Sequence, residues 1–222
     1  MIVKICGITT LEDAQAAIEA GADMLGFNFY EKSPRYLTPQ ACRTITQKLP
    51  LHRVTTVGVF VNLPTLEIQH ILQATGLHLA QLSGDESPQE LAALHGQAFK
   101  SLRPSDNNAL QADLSRYSPH KGAPAWLLDA YRSGAYGGTG QTADWGLAAN
   151  LARQVPILLA GGLRPDNVAS AIGQVHPWGV DVASGVESSP GLKDPAAMKD
   201  FIRNAKQAGQ SVVYCRQVEI PL

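Results

Sequence analysis

The sequence predicts an α/β protein, a (β/α)8 barrel in a single domain, on three observations: eight short apolar or alternating segments, a helical segment behind each, and no linker between them. The strand segments are 2–8, 24–29, 55–61, 78–83, 98–103, 125–129, 156–160 and 179–183, and most stop on Gly, Pro or a polar residue. The helices read as 11–19, 39–48, 64–74, 88–94, 107–115, 144–152, 165–172 and 195–208. Thr9 is placed to cap the first and Thr38 the second, Asp194 precedes the last, and Pro39, Pro64, Pro88, Pro165 and Pro195 stand at first helical positions. Alternation of this kind demands parallel strands with right-handed crossovers; eight units close naturally into a barrel, with an open doubly wound sheet as the alternative. The barrel is expected over 1–210. The tail, 211–222, lies beyond the eighth helix and reads as strand-like at Val212-Val213-Tyr214.

Composition narrows the function. Hydrophobic residues make up 45% and charged residues 17%, and 18 Lys+Arg stand against 19 Asp+Glu. No global positive field would draw nucleic acid or an anionic membrane. No segment is apolar over the roughly 18 residues a membrane span needs, and the N-terminal segment lacks the regions of a signal peptide. A cytoplasmic metabolic protein is expected. Cys6, Cys42 and Cys215 form neither a disulfide framework nor a CxxC pattern, and the six histidines lack ligand spacing, so reduced thiols and no metal site are expected.

In such a barrel reactive groups sit at the carboxyl ends of the strands. Period-two alternation points Lys4 and Cys6 of the first strand inward and Val3 and Ile5 outward; it likewise turns Leu127 and Asp129 inward on the sixth strand and Asp181 inward on the eighth. A thiol and two carboxylates should therefore share one mouth. Cys6 also has a reading as a small buried hydrophobe, and Asp129 as a turn cap, but strand-end position and the Gly137-Gly138-Thr139-Gly140 run after Asp129 suit a proton-transfer pair and a substrate loop. Gly161 and Gly162 after the seventh strand, with Ser184 and Gly185 after the eighth, suit a phosphate held by backbone N–H groups. Arg35, in Ser33-Pro34-Arg35-Tyr36, could grip a carboxylate by two parallel hydrogen bonds or be a solvated surface side chain. No GxSxG elbow or P-loop is present, which argues against serine hydrolase and nucleotide kinase chemistry.

In order along the chain, Lys4-Ile5-Cys6-Gly7-Ile8-Thr9, Gly26-Phe27, Ser33-Pro34-Arg35-Tyr36, Val57-Gly58-Val59-Phe60, Leu128-Asp129, Gly138-Thr139-Gly140, Ala160-Gly161-Gly162-Leu163 and Gly179-Val180-Asp181 with Ser184-Gly185-Val186-Glu187 resemble the phosphoribosylanthranilate isomerase family of tryptophan biosynthesis, from Lys4 to about Asp194. The resemblance implies a (β/α)8 barrel with Cys6 as general base, Asp129 as general acid, Arg35 as anchor for the anthranilate carboxylate and Asp181 as a further polar group beside the substrate. Two departures stand out: Gln81-Leu82-Ser83-Gly84 carries Ser83 where the family usually has His, and Ala183 stands where it often has Ser.

The implied reaction is an Amadori rearrangement of N-(5-phosphoribosyl)anthranilate to 1-(2-carboxyphenylamino)-1-deoxyribulose 5-phosphate. It needs no cofactor, neither nicotinamide nor metal. The expected partner is this small phosphosugar, with no nucleic acid and no membrane, and the chain as a monomer or homodimer. The chemistry asks for a Cys6 thiolate near neutral pH, below the usual thiol pKa of about 8.5, and a protonated Asp129 well above about 3.9. Lys4, one layer deeper, reads as a structural barrel lysine with an auxiliary role as the alternative. Rival readings are a related barrel isomerase or epimerase on another phosphosugar, and a non-catalytic phosphometabolite-binding barrel; Cys6 in place of an acid at the first strand end counts against the first, and Cys6 with Asp129 against the second.

Overall fold

The structure, a computed structural model, describes residues 1–129 and 145–218, of which 211–218 only as helix backbone. Eight parallel strands close in sequence order: β1 (Ile2–Cys6), β2 (Met24–Asn28), β3 (Thr55–Phe60), β4 (Leu79–Leu82), β5 (Ala98–Leu102), β6 (Trp126–Leu128), β7 (Ile157–Leu159) and β8 (Gly179–Val182), with β8 pairing back onto β1. Helices α1 (Leu11–Glu19), α2 (Pro39–Thr46), α3 (Thr65–Thr75), α4 (Pro88–Ala93), α5 (Asn107–Arg116), α6 (Trp145–Ala152), α7 (Val168–Val175) and α8 (Pro195–Val218) follow the strands one by one. The open-sheet alternative is excluded by closure.

Alternation sorts the side chains as expected. Outward residues such as Val3, Ile5, Leu128, Val180 and Val182 form the core shared with the helices, while Met24, Val57, Phe99, Leu127, Leu158 and Ala160 fill the barrel interior.

Local chemistry differs from the sequence reading in three places. Thr10, not Thr9, caps α1: its backbone is extended and its Oγ1 accepts from the Asp13 N–H at 3.1 Å. Thr9 instead donates to the Gly191 carbonyl at 2.5 Å. The segment 212–214 is helical, not strand-like, because the backbone ladder of α8 runs on to Val218 and overrides the weak β preference of two valines; the 210/211 boundary thus falls inside one helix. After β8 the chain forms a 3₁₀ turn, Ser184–Val186, and a small hairpin of β9 (Glu187–Ser189) and β10 (Leu192–Lys193), which periodicity did not reveal.

Candidate active site

Cys6 ends β1 directly opposite Gly26 of β2, and Lys4 stands opposite Asp181 of β8. Both β1 side chains enter the barrel, as alternation requires. A Cβ on Gly26 would lie 2.7 Å from Cys6 Sγ and 3.2 Å from Lys4 Nζ, so the missing side chain is the space these two groups occupy. Lys4 is fully buried and its ammonium donates to Asp181 Oδ1 at 2.8 Å. Gly7 adopts φ +76°, and a side chain there would strike the aliphatic stem of Arg35. Arg35 therefore lies across the end of β1.

Arg35 is half-buried rather than a solvated surface residue. Its Nε and Nη2 donate to Glu187 Oε1 and Oε2, each at 2.7 Å. Lys193, buried on β10, donates to the same Glu187 Oε1 at 2.9 Å and to the Ala183 carbonyl at 3.0 Å. The hairpin is thus tied to the mouth by one carboxylate and two cations. The sequence does not single out Glu187 or Lys193; Glu187 stands in it only as the last residue of a matching motif.

The eight described residues expected to carry catalysis, substrate binding and phosphate binding meet in one cavity of about 490 Å³. Cys6, Asp129 and Asp181 line it from β1, β6 and β8, and Arg35 from the loop after β2. Gly161, Gly162, Ser184 and Gly185 line its other side. The two glycine-bearing loops touch closely, since a Cβ on Gly185 would collide with the Leu163 carbonyl oxygen. Ser83 lines the cavity too, accepting from Gln81 Nε2 at 3.1 Å. The Gly137-Gly138-Thr139-Gly140 loop lies outside the described residues, as does the side chain of Cys215. Among the described residues no group of three or more His, Cys, Asp and Glu could hold a metal ion, and no helix is long and apolar enough to cross a membrane.

The electrostatics of Cys6 depart from expectation. Burial pushes its thiol pKa up, the Lys4 charge pulls it down, Asp181 pushes up again and Lys193 pulls down, with a net rise above the ordinary value. The resting thiol keeps its proton more firmly than a free cysteine. Burial also works against the Lys4 ammonium, but the charges of Asp181 and Cys6 and the hydrogen bonds to them outweigh it and hold its pKa up. Glu187 shows the same contest with opposite sign: desolvation favours the neutral acid, and the bonds from Arg35 and Lys193 prevail, lowering its pKa.

Fold and site define a (β/α)8-barrel enzyme whose mouth joins a thiol, carboxylates, a guanidinium and glycine-rich loops of the kind that hold phosphate. The family model for N-(5'-phosphoribosyl)anthranilate isomerase matches residues 3–204, and the chain belongs to that family, isomerases of tryptophan biosynthesis. The enzyme of that name from Pelobacter propionicus is 48% identical over 205 residues, covering 92% of this chain and 95% of the relative. That from Geobacter metallireducens is 47% identical over 204 residues, covering 92% and 98%. The crystal structure of phosphoribosyl anthranilate isomerase from Thermotoga maritima superposes with a TM-score of 0.84 at 40% identity, covering 93% of this chain and all of that one. A phosphoribosyl anthranilate isomerase solved with reduced 1-(o-carboxyphenylamino)-1-deoxyribulose 5-phosphate gives 0.80 at 38% identity, with the same coverage.

Proposed function

We propose that the chain isomerises N-(5'-phosphoribosyl)anthranilate with Asp129 as general acid and Cys6 as general base. The observation that carries these roles is the convergence of Cys6, Asp129, Arg35 and the Gly161-Gly162 and Ser184-Gly185 loops on a single cavity. The phosphate rests against those two loops, and the anthranilate carboxylate takes the outer edge of Arg35, whose inner edge Glu187 already holds. Asp181 faces the sugar hydroxyls.

Asp129 protonates the furanose ring oxygen while the anilinic nitrogen lone pair opens the ring to an iminium. The adjacent sugar C–H is then acidic, Cys6 removes its proton, and the resulting enolamine tautomerises to the ketone. Electrons and protons balance without redox change, so no cofactor enters. Cys6 and Asp129 hold one proton between them in the working state, and the reaction requires it on Asp129. A resting Cys6 that holds its proton firmly means the thiolate form is sparsely populated before substrate binds.

Polar phosphorylated substrate and product suit the cytoplasmic setting expected from composition. A related structure is of monomers generated from a dimeric phosphoribosylanthranilate isomerase from Thermotoga maritima, and for this chain both monomer and homodimer fit a cavity whose described lining comes from one barrel.

The test is direct: phosphoribosylanthranilate is generated in situ and loss of its fluorescence is followed on addition of the protein. Rapid loss with accumulation of the aminodeoxyribulose phosphate is expected. A folded protein that leaves the fluorescence unchanged would overturn the reading.

A further inference from the structure

Lys4 has no part in the roles above, yet it lies closer to the base than a structural lysine needs to. It is fully buried, shares the inward face of β1 with Cys6, and its Nζ and Cys6 Sγ both stand over the bare backbone of Gly26. Its ammonium donates to Asp181 Oδ1 at 2.8 Å, and Asp181 also lines the cavity. Among the described residues the other charged groups around Cys6 are Lys193 on β10, Arg35 after β2 with its partner Glu187 on β9 and, across the cavity, Asp129 beyond β6. Lys193 and Arg35 are both committed to Glu187. Lys4 is the cation whose partner a bound sugar can reach.

We propose that Lys4 is the positioning residue that supplies counter-charge to the Cys6 thiolate, and that Asp181 meters this supply. While Asp181 holds Lys4, the ammonium field at the sulfur is partly cancelled and the thiol proton stays. When a sugar hydroxyl donates to Asp181, the carboxylate's hold on Lys4 weakens and the ammonium turns its charge to the sulfur, favouring the arrangement with the shared proton on Asp129. Thiolate formation is thereby coupled to occupancy of the sugar site. A thiolate that forms only with substrate present is also shielded from alkylation and oxidation in the empty enzyme. The directions found for Cys6 agree: Lys4 favours its anion and Asp181 opposes it.

The proposal rests on Cys6 being the base, but its test reads the sulfur itself and does not depend on turnover. The pH dependence of iodoacetamide labelling at Cys6 is measured on folded protein by peptide mass spectrometry, for the wild type, Lys4→Met, Asp181→Asn and the double variant. At least about one pH unit upward is expected for Lys4→Met, a tenfold loss of thiolate at fixed pH, and a comparable downward move for Asp181→Asn. The double variant should return toward the wild type. Steady-state kinetics of Lys4→Met should show kcat falling more than KM rises, with part of kcat recovered at higher pH. Coincident labelling curves in the folded variants, or a downward move for Lys4→Met, would overturn the proposal. If Lys4→Met does not fold because Asp181 is left buried and unpaired, Asp181→Asn decides: a fall supports the proposal, and no change or a rise refutes it.

Discussion

Glu187 grips Arg35 along one edge of its guanidinium, Oε1 to Nε and Oε2 to Nη2 at 2.7 Å each, and leaves a second edge of a side chain that lines the cavity outside that pairing. A planar fork fixed on one side is pre-organised to take a planar carboxylate on the other. Arg35→Ala should therefore raise KM about 10- to 100-fold, the equivalent of a lost charge-assisted bidentate contact, with a smaller change in kcat. Glu187→Gln, which keeps one acceptor, should raise KM less. Steady-state kinetics separate the two; a fall in kcat at unchanged KM in both variants would show that the guanidinium does not anchor substrate.

Gly26 tests the crowding around the base. Its backbone conformation suits any residue, so Gly26→Ala introduces no dihedral strain, but the new methyl would stand 2.7 Å from Cys6 Sγ and 3.2 Å from Lys4 Nζ. Those groups must move. Overpacking of this kind costs about 1–3 kcal/mol, read from urea denaturation, and displacement of the sulfur should lower kcat at least tenfold. Wild-type kcat in a folded Gly26→Ala protein would mean the sulfur position is not critical.

The barrel and three of its inward polar groups were legible because parallel strands impose two rules a sequence cannot hide: alternate residues share a face, and loops after the strands share a mouth. Cys6, Asp129 and Asp181 follow from those rules. Glu187 and Lys193 do not, since they stand on a two-rung hairpin too short for any period and become meaningful only when folding brings them to Arg35, 152 residues from Glu187. The raised pKa of the resting Cys6 thiol is not legible in the sequence for a similar reason. Its burial and the opposing pulls of Lys4 and Asp181 arise from registers across β1, β2 and β8.

The acid and base assignments predict matched losses. Cys6→Ala and Asp129→Asn remove proton transfers that positioned groups accelerate by about 10² to 10⁴ each, so kcat should fall by that order in either variant while the far-UV spectrum is unchanged. Because the two share one proton, the double variant should lose much less than the product of the single losses. Near-wild-type turnover in either single variant would remove that residue from the mechanism.

In the middle of β5, Lys100 donates to Glu86 Oε2 at 2.7 Å and to the Gly84 carbonyl at 2.6 Å, with both side chains buried. Glu86 also accepts from the Asn62 and Gly84 N–H groups, so it binds together the loops after β3 and β4. Lys100→Met leaves that carboxylate buried without its cation, a change worth about 3–5 kcal/mol of stability. Chemical denaturation should show the loss, and Lys100→Met combined with Glu86→Gln should recover part of it.

Cys42, wholly buried on α2 and distant from the chemistry, predicts how stability responds to alkali. Burial pushes its thiol pKa up to about 12, against 9.0 for an ordinary thiol. Above that ordinary value the unfolded chain gives up a proton the folded chain keeps, so folding stability is full below about pH 9 and declines as pH rises toward 12. The total is on the order of 4 kcal/mol, three units at 1.36 kcal/mol each. Cys6 and Lys4, both with raised pKa values, act in the same direction. Urea denaturation at pH 7, 9 and 10 should give a declining midpoint in the wild type and a shallower decline in Cys42→Ala. The comparison is of slopes, because the alanine also leaves a small cavity that lowers stability at every pH. Equal slopes would mean that Cys42 ionises as readily folded as unfolded, and that the helix face packed over it admits water.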